Sequence, residues 1–360
     1  MDNRLSEPTK RVAWIDISKA IAIYLMVLGP TGVSAGTNII IHAFHMQVFF
    51  ILSGYSFNEK KYRQIGLIAK KRFFSLIIPY LIFATVLFFL WNLALYILNR
   101  PAEMRPVLNL VSSMLWINTE AAVFGVIQWF LPCMFFSELL LGIICRLSRA
   151  SALKTSAALL VLSIIAYACP RLLGVRLPWA LDCALMAAVF SGVGWLARGL
   201  DLNKFAETLK KHLAAAWFAV VLVALIASPL IFINGEVSIR TVLYGNYFLF
   251  FLNSFIYSAV VIMLSMLLDS TLGALAPLRF AAWIGRHTLV VLLLNSTAIR
   301  FWKVLSEQIT AQMSSTQIYA INSFVAFIIM LICVAASAFI NRFFPILLGR
   351  KNSRNGNPTA

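Results

Sequence analysis

Few ionisable side chains interrupt the apolar runs of this sequence, and those that do fall into small groups with suggestive spacing. His42 and His45 lie three apart in His-Ala-Phe-His-Met, which puts both imidazoles on one face of a helix. Imidazole titrates near neutrality, so the pair suits proton transfer to or from a hydroxyl, or else a satisfied position at a membrane interface. No third ligand accompanies them, so no metal is expected. Asp16 and Lys19 share a face in the same way. They read either as an ion pair snorkelling from a helix end or as the floor of a pocket where Lys19 meets an anionic group. Lys71 and Arg72 close a basic triplet ahead of Pro79. Such a cluster ordinarily marks the cytoplasmic end of a span, and it also suits the phosphates of a donor, which arginine grips through two parallel hydrogen bonds. Glu138 stands nine residues beyond Trp129 in an apolar run, where a carboxylate must pair or line a hydrated cavity. Ser53-Gly54-Tyr55 reads as a small-residue helix contact or as part of a channel wall.

The elements that hold these groups are membrane helices. Apolar residues make up 61% of the 360-residue chain and charged residues 12%, against about 45–50% and 25% in soluble domains. Mean hydropathy is +0.87. Apolar windows predict ten spans, near residues 14–34, 39–57, 76–98, 123–145, 152–170, 178–197, 213–234, 246–268, 281–299 and 318–348. The predicted fold class is therefore all-α and polytopic.

Loop charges test that count. With both termini cytoplasmic, 22 of the 30 Lys and Arg residues fall in cytoplasmic segments and 7 in outer ones, with Lys19 inside the first span. That asymmetry favours an even number of crossings in a cell membrane. It also accounts for the net charge of +17 without nucleic acid, since no basic domain with interleaved aromatics occurs. The five cysteines lack metal or redox spacing and read as small packing residues. Met1 to Arg11 is polar and leads into an uncleaved first helix. Asn99 to Ala122 forms the longest outer loop, and its apolar stretch from Val107 to Ile117, too short to span, lies along the outer interface or re-enters. One membrane domain is expected over 1–348, followed by a disordered cytoplasmic tail over 349–360.

The order of the motifs carries more than any one of them. Asp16-x-x-Lys19, Val27-Leu28-Gly29, the run from Phe44 to Tyr55, Lys71-Arg72 before Leu76-Ile77-Ile78-Pro79-Tyr80, Trp129-Phe130-Leu131-Pro132 and Ile284-Gly285-Arg286-His287-Thr288-Leu289 together resemble the membrane acyltransferase-3 family. The subgroup it is most similar to is the fucose 4-O-acetylase-like sugar O-acetyltransferases. The resemblance covers about residues 11 to 300. It implies an enzyme that takes an acyl group, often acetyl, from cytoplasmic acyl-CoA and places it on a hydroxyl of an extracytoplasmic or lipid-linked glycan, with no bound cofactor.

The family pattern of a basic residue, ten intervening residues and a histidine falls on Lys19 and Pro30, so the histidine is missing. Ser75 replaces a second arginine and Asn295 a histidine, whereas Arg72, His45 and Trp129 match. Proline has no proton-accepting side chain, so His45, aided by His42, is the expected base. Lys19 and Asp16 join His45 as the expected catalytic residues, and Lys19 together with Arg72 and Lys71 is expected to hold the donor's charged portion. His42, Ser53, Tyr55, Trp129, Glu138 and Asn295 are expected around a single hydrated cavity open to both sides. A relative that binds acyl-CoA or glycan without turnover is the alternative, and a proton-coupled transporter is a third.

Overall fold

The computed structural model describes residues 12–58, 64–101, 104–115, 129–310 and 312–349. These residues form helices, with no β-strand among them. Ten helical stretches are long and apolar enough to cross a membrane, and they match the predicted spans in number and order. Met1 to Arg11, most of the tail and the beginning of the predicted 123–145 span lie outside the described residues.

The first span is α1 (Ala13–Leu28), continued by a 3₁₀ turn over Gly29–Thr31. Four further spans are α7 (Phe130–Leu147), α8 (Ala152–Leu173), α9 (Leu181–Ala197) and α11 (Leu213–Asn234), with the short α10 (Leu202–Lys211) before the last. Their burial sorts them into layers. In α9, 72% of the apolar window is buried, against 17% in α8 and 22% in α11. The outer helices turn Leu160, Ile164, Phe218 and Ile226 outward, as expected of helices that meet lipid tails.

The second span is broken, which the predicted helix over 39–57 did not foresee. It consists of α2 (Ala35–His42) and α3 (His45–Tyr55), separated at Phe44, whose φ of −150° leaves the helical region. A break inside a membrane frees backbone carbonyls that something else must satisfy. Three side chains do so: His45 Nδ1 approaches the Ile41 carbonyl at 2.7 Å, and Gln47 Nε2 and Ser254 Oγ donate to the Ala43 carbonyl at 3.1 and 3.2 Å. Beyond the break α3 presses closely on α9. A Cβ on Gly54 would stand 1.7 Å from the Ser191 carbonyl oxygen, and one on Gly194 would stand 1.9 Å from that of Ile51. Glycine on both partners is what lets the two backbones meet.

The third span begins earlier than predicted. It runs as α4 (Ile65–Arg72), a π-helical turn over Phe73–Ile77 and α5 (Ile78–Ile97), so Lys71 and Arg72 lie within the helix rather than before it. Pro79 has no N–H for the Ser75 carbonyl, and a wide turn accommodates the missing bond. The outer-loop stretch contains α6 (Val107–Leu115), seated on α5 through Leu110 and Phe88; Trp116 and Ile117 lie outside the described residues.

The eighth span is α12 (Tyr247–Leu272). The predicted ninth span over 281–299 is divided in the structure. Amphipathic α13 (Ala276–Arg286) stops at His287, and α14 (Thr288–Ile309) starts anew. The tenth, α15 (Ser315–Phe343), opens on a reciprocal Ser314–Gln317 cap and ends at Phe343, because Pro345 disfavours helix in the residue before it.

Candidate active site

Most of the predicted site residues fall into the linings of two cavities. The smaller, about 60 Å³, is lined by His42, His45, Gln47, Pro30, Trp129 and the loop residues Ser238 to Arg240. The larger, about 370 Å³, is lined by Lys19, Ser53, Ser75, Arg72, Glu138 and α14 residues Thr288, Leu289 and Leu292. The first has room for a few waters or one small substituent, and the second for part of a ligand of ordinary size. They are called here the histidine and arginine cavities.

In the histidine cavity the helix break determines the chemistry. A carbonyl oxygen can only accept, so the contacts of His45 Nδ1 with Ile41 and of His42 Nδ1 with Asn38 (2.9 Å) place the ring hydrogen on Nδ1. The Nε2 lone pair of each neutral ring is thereby left as the base. The rings meet edge to face, with centroids 5.1 Å apart. Gln47 is oriented by the same logic. Its Nε2 is spent on the Ala43 carbonyl and on Ser254 Oγ, so its Oε1, buried and without a protein donor, is an acceptor in the cavity wall. Pro30 sits in this same wall, so the missing family histidine would have shared the cavity with His42 and His45.

In the arginine cavity Glu138, 2% exposed, is held from two sides. Ser53 Oγ donates to Oε1 at 2.7 Å, and Arg72 Nε pairs with Oε2. The carboxylate is thus both paired and cavity-lining, the two alternatives that the sequence left open. Ser53 and Gly54 divide the two readings of their motif, one facing the cavity and the other packing on α9.

Aromatic side chains stand where the two linings adjoin in sequence. Trp129 belongs to the histidine cavity and its neighbour Phe130 to the arginine cavity. Phe130 packs against Phe49 and Phe50, with ring centroids 5.8 and 5.2 Å away.

Four predicted residues stand elsewhere. Asp16 is buried and ion-paired to Arg286 Nε at 3.4 Å, a partner 270 positions away that helical spacing could not reveal. Gly285 permits that contact, since a Cβ there would be 1.8 Å from the Asp16 carbonyl. Lys71 is exposed and outside the cavity lining, because it points off the helix face that Arg72 presents. Tyr55 packs against Trp14 (5.8 Å between centroids) and lines neither cavity. Asn295 is fully buried, with Nδ2 bonded to the Val291 carbonyl and Oδ1 without a partner, on the same face of α14 as Thr288 and Leu292 but beyond the cavity.

Two residues in the histidine cavity escaped the sequence reading. Gln47 lies inside a quoted motif but looks like any helix-packing amide. Arg240 was counted only as one of the sparse outer-loop charges; the glycines at 235 and 245 that bracket its loop were the available signal. Burial draws its guanidinium below the ordinary arginine pKa.

Comparison with curated proteins and with solved structures gives no match. The family model described as "Acyltransferase domain", of the acyltransferase-3 type, matches residues 12–341, which takes in all ten spans save the last two residues of the tenth. The chain is a member of the membrane acyltransferase-3 family.

Proposed function

We propose that this acyltransferase moves an acyl group, acetyl in the first instance, from cytoplasmic acyl-CoA to a hydroxyl of an extracytoplasmic or lipid-linked glycan, in the manner of the fucose 4-O-acetylase-like enzymes. It does so in the cytoplasmic membrane, with both termini inside. The observation that carries this reading is the stacking of a cation-lined cavity and a base-lined cavity along α3, with one aromatic layer between them. Lys19 and Arg72 hold the donor's phosphates. Glu138, fixed by Ser53, keeps the Arg72 guanidinium aimed across the cavity. The thioester arm passes the Phe130 layer to reach the histidines. His45 Nε2 then takes the proton of the acceptor hydroxyl as its oxygen attacks the thioester carbonyl; the O–C bond forms, the C–S bond breaks, and the proton passes to the departing thiolate. Gln47 Oε1 accepts from a neighbouring hydroxyl and orients the sugar.

Binding without turnover is the second reading, supported by Pro30 in the wall where the family places an imidazole. The presence of His42 and His45 in that same cavity favours catalysis. The test is reconstitution with labelled acetyl-CoA and a glycan acceptor. Acyl transfer that is lost in His45→Ala supports the proposal, and transfer at the wild-type rate in that variant removes His45 from the reaction.

A further inference from the structure

Arg240 reaches the histidine cavity from a loop that is braced with unusual thoroughness. Ser238 and Leu243 exchange backbone hydrogen bonds at 2.6 and 3.0 Å, and Thr241 N–H donates to Ser238 Oγ, which closes a tight turn around residues 239–242. Val242 takes a left-handed φ of +52° to complete it, a strained choice for a β-branched residue. Val237, Ile239 and Tyr244 anchor the turn in the core. A second arginine secures the backbone of the first: Arg176 Nη2 donates to the Arg240 carbonyl at 2.8 Å, while its Nε pairs with Asp182. Asn234 fastens the far end, accepting from Asn246 N–H at 2.8 Å.

This arrangement commits the local negative charge to Arg176. Asp182, 1% exposed, is engaged by Arg176 and by the backbone N–H of Cys183. Arg240 has no carboxylate partner among the described residues, and Glu236, earlier in the loop, is exposed and makes no ion pair with it. Its guanidinium is left partly buried, in a cavity lining that it shares with Leu25, Met26, Ile41 and the two imidazoles. A cation held in a low-dielectric wall without a partner is poised for an anion delivered by a ligand. Guanidinium grips a carboxylate or phosphate through a planar fork.

We propose that Arg240 reads a negative charge on the acceptor, a carboxylate or phosphate carried close to the hydroxyl that is acylated, so that the substrates are acidic rather than neutral glycans. The name acceptor rests on the acyl-transfer reading; the recognition of an acidic saccharide in the histidine cavity does not. Arg240 is accordingly a specificity-determining residue, distinct from the base.

The full-length purified protein tests this with three probes: a hexuronic-acid disaccharide, a polyprenyl-diphosphate-linked hexose and a neutral hexose disaccharide. Binding is measured by thermal stabilisation and transfer by labelled acetyl-CoA. The expected result is that one of the two anionic probes binds at least about tenfold more tightly than the neutral one, the worth of one charge-assisted hydrogen bond. Arg240→Gln removes that preference, raising KM for the anionic probe far more than for the neutral one, and Arg240→Lys restores part of it. Which anionic probe responds tells sugar carboxylate from lipid-linked phosphate. Equal binding of all three probes, or equal loss on neutral and anionic probes in Arg240→Gln, overturns the proposal. Arg240-dependent binding without acetyl transfer keeps it and removes the acyl-transfer reading instead.

Discussion

His45 and Ser53 lie eight residues apart on one continuous helix, yet one faces the histidine cavity and the other the arginine cavity. About 12 Å of helix separates them, at 1.5 Å per residue. A donor anchored by its phosphates near Ser53 therefore needs an extended arm, not a moving domain, to bring its thioester to His45. Phe49, on the helix between them, and Phe130 stand edge to face in the lining of the arginine cavity.

That contact predicts a gate. Phe130→Ala opens the partition and lets water reach the thioester, so acetyl-CoA hydrolysis without acceptor rises while transfer to glycan falls. The measurement is thiol release with and without acceptor. An unchanged ratio of hydrolysis to transfer would mean that the arm does not pass Phe130.

The Arg72–Glu138 pair is buried on the Glu138 side, so removing one partner leaves the other charge uncompensated. Arg72→Ala, which strands the buried Glu138 carboxylate, is expected to destabilise the protein by about 3–5 kcal/mol. Glu138→Gln, which retains an acceptor for Ser53, costs less. Arg72→Met with Glu138→Leu recovers stability but not donor binding. Thermal unfolding in detergent, with and without acetyl-CoA, separates these effects; full donor protection in the double variant would exclude Arg72 from phosphate binding.

Pro30 lines the cavity that holds both histidines. In a His45→Ala background, Pro30→His is expected to restore part of the lost transfer, since it returns an imidazole to the same small space. In the otherwise wild-type chain it changes the rate by less than about tenfold, because a base is already present. A large gain in the wild-type background would instead favour a chain that binds without turning over.

How far the sequence could be read follows from the range of each signal. Ten spans were legible because long apolar runs and basic loops are local properties, and the carboxylate at Glu138 was legible as a group requiring a partner. The break between His42 and His45 was not, since Ala43 and Phe44 belong to an apolar run without proline or glycine, and only the side chains of His45, Gln47 and Ser254 make the break tolerable. Asp16 and Lys19 were read together by spacing; Arg286, far away in sequence, is a partner that spacing could not show, and it meets Asp16 across the helix crossing at Gly285. The division into two cavities was likewise hidden, because it depends on where Phe49, Phe50 and Phe130 converge. Arg240 is partly buried by loop packing, which charge counting cannot register.

The most direct test is sided transfer in proteoliposomes of uniform orientation. With labelled acetyl-CoA confined to the face where the arginine cavity opens and the glycan acceptor confined to the other, acetylated glycan is expected, and its formation is lost in His45→Ala. Product formed only when both substrates share one face would contradict passage of the acyl group from the arginine cavity to the histidine cavity.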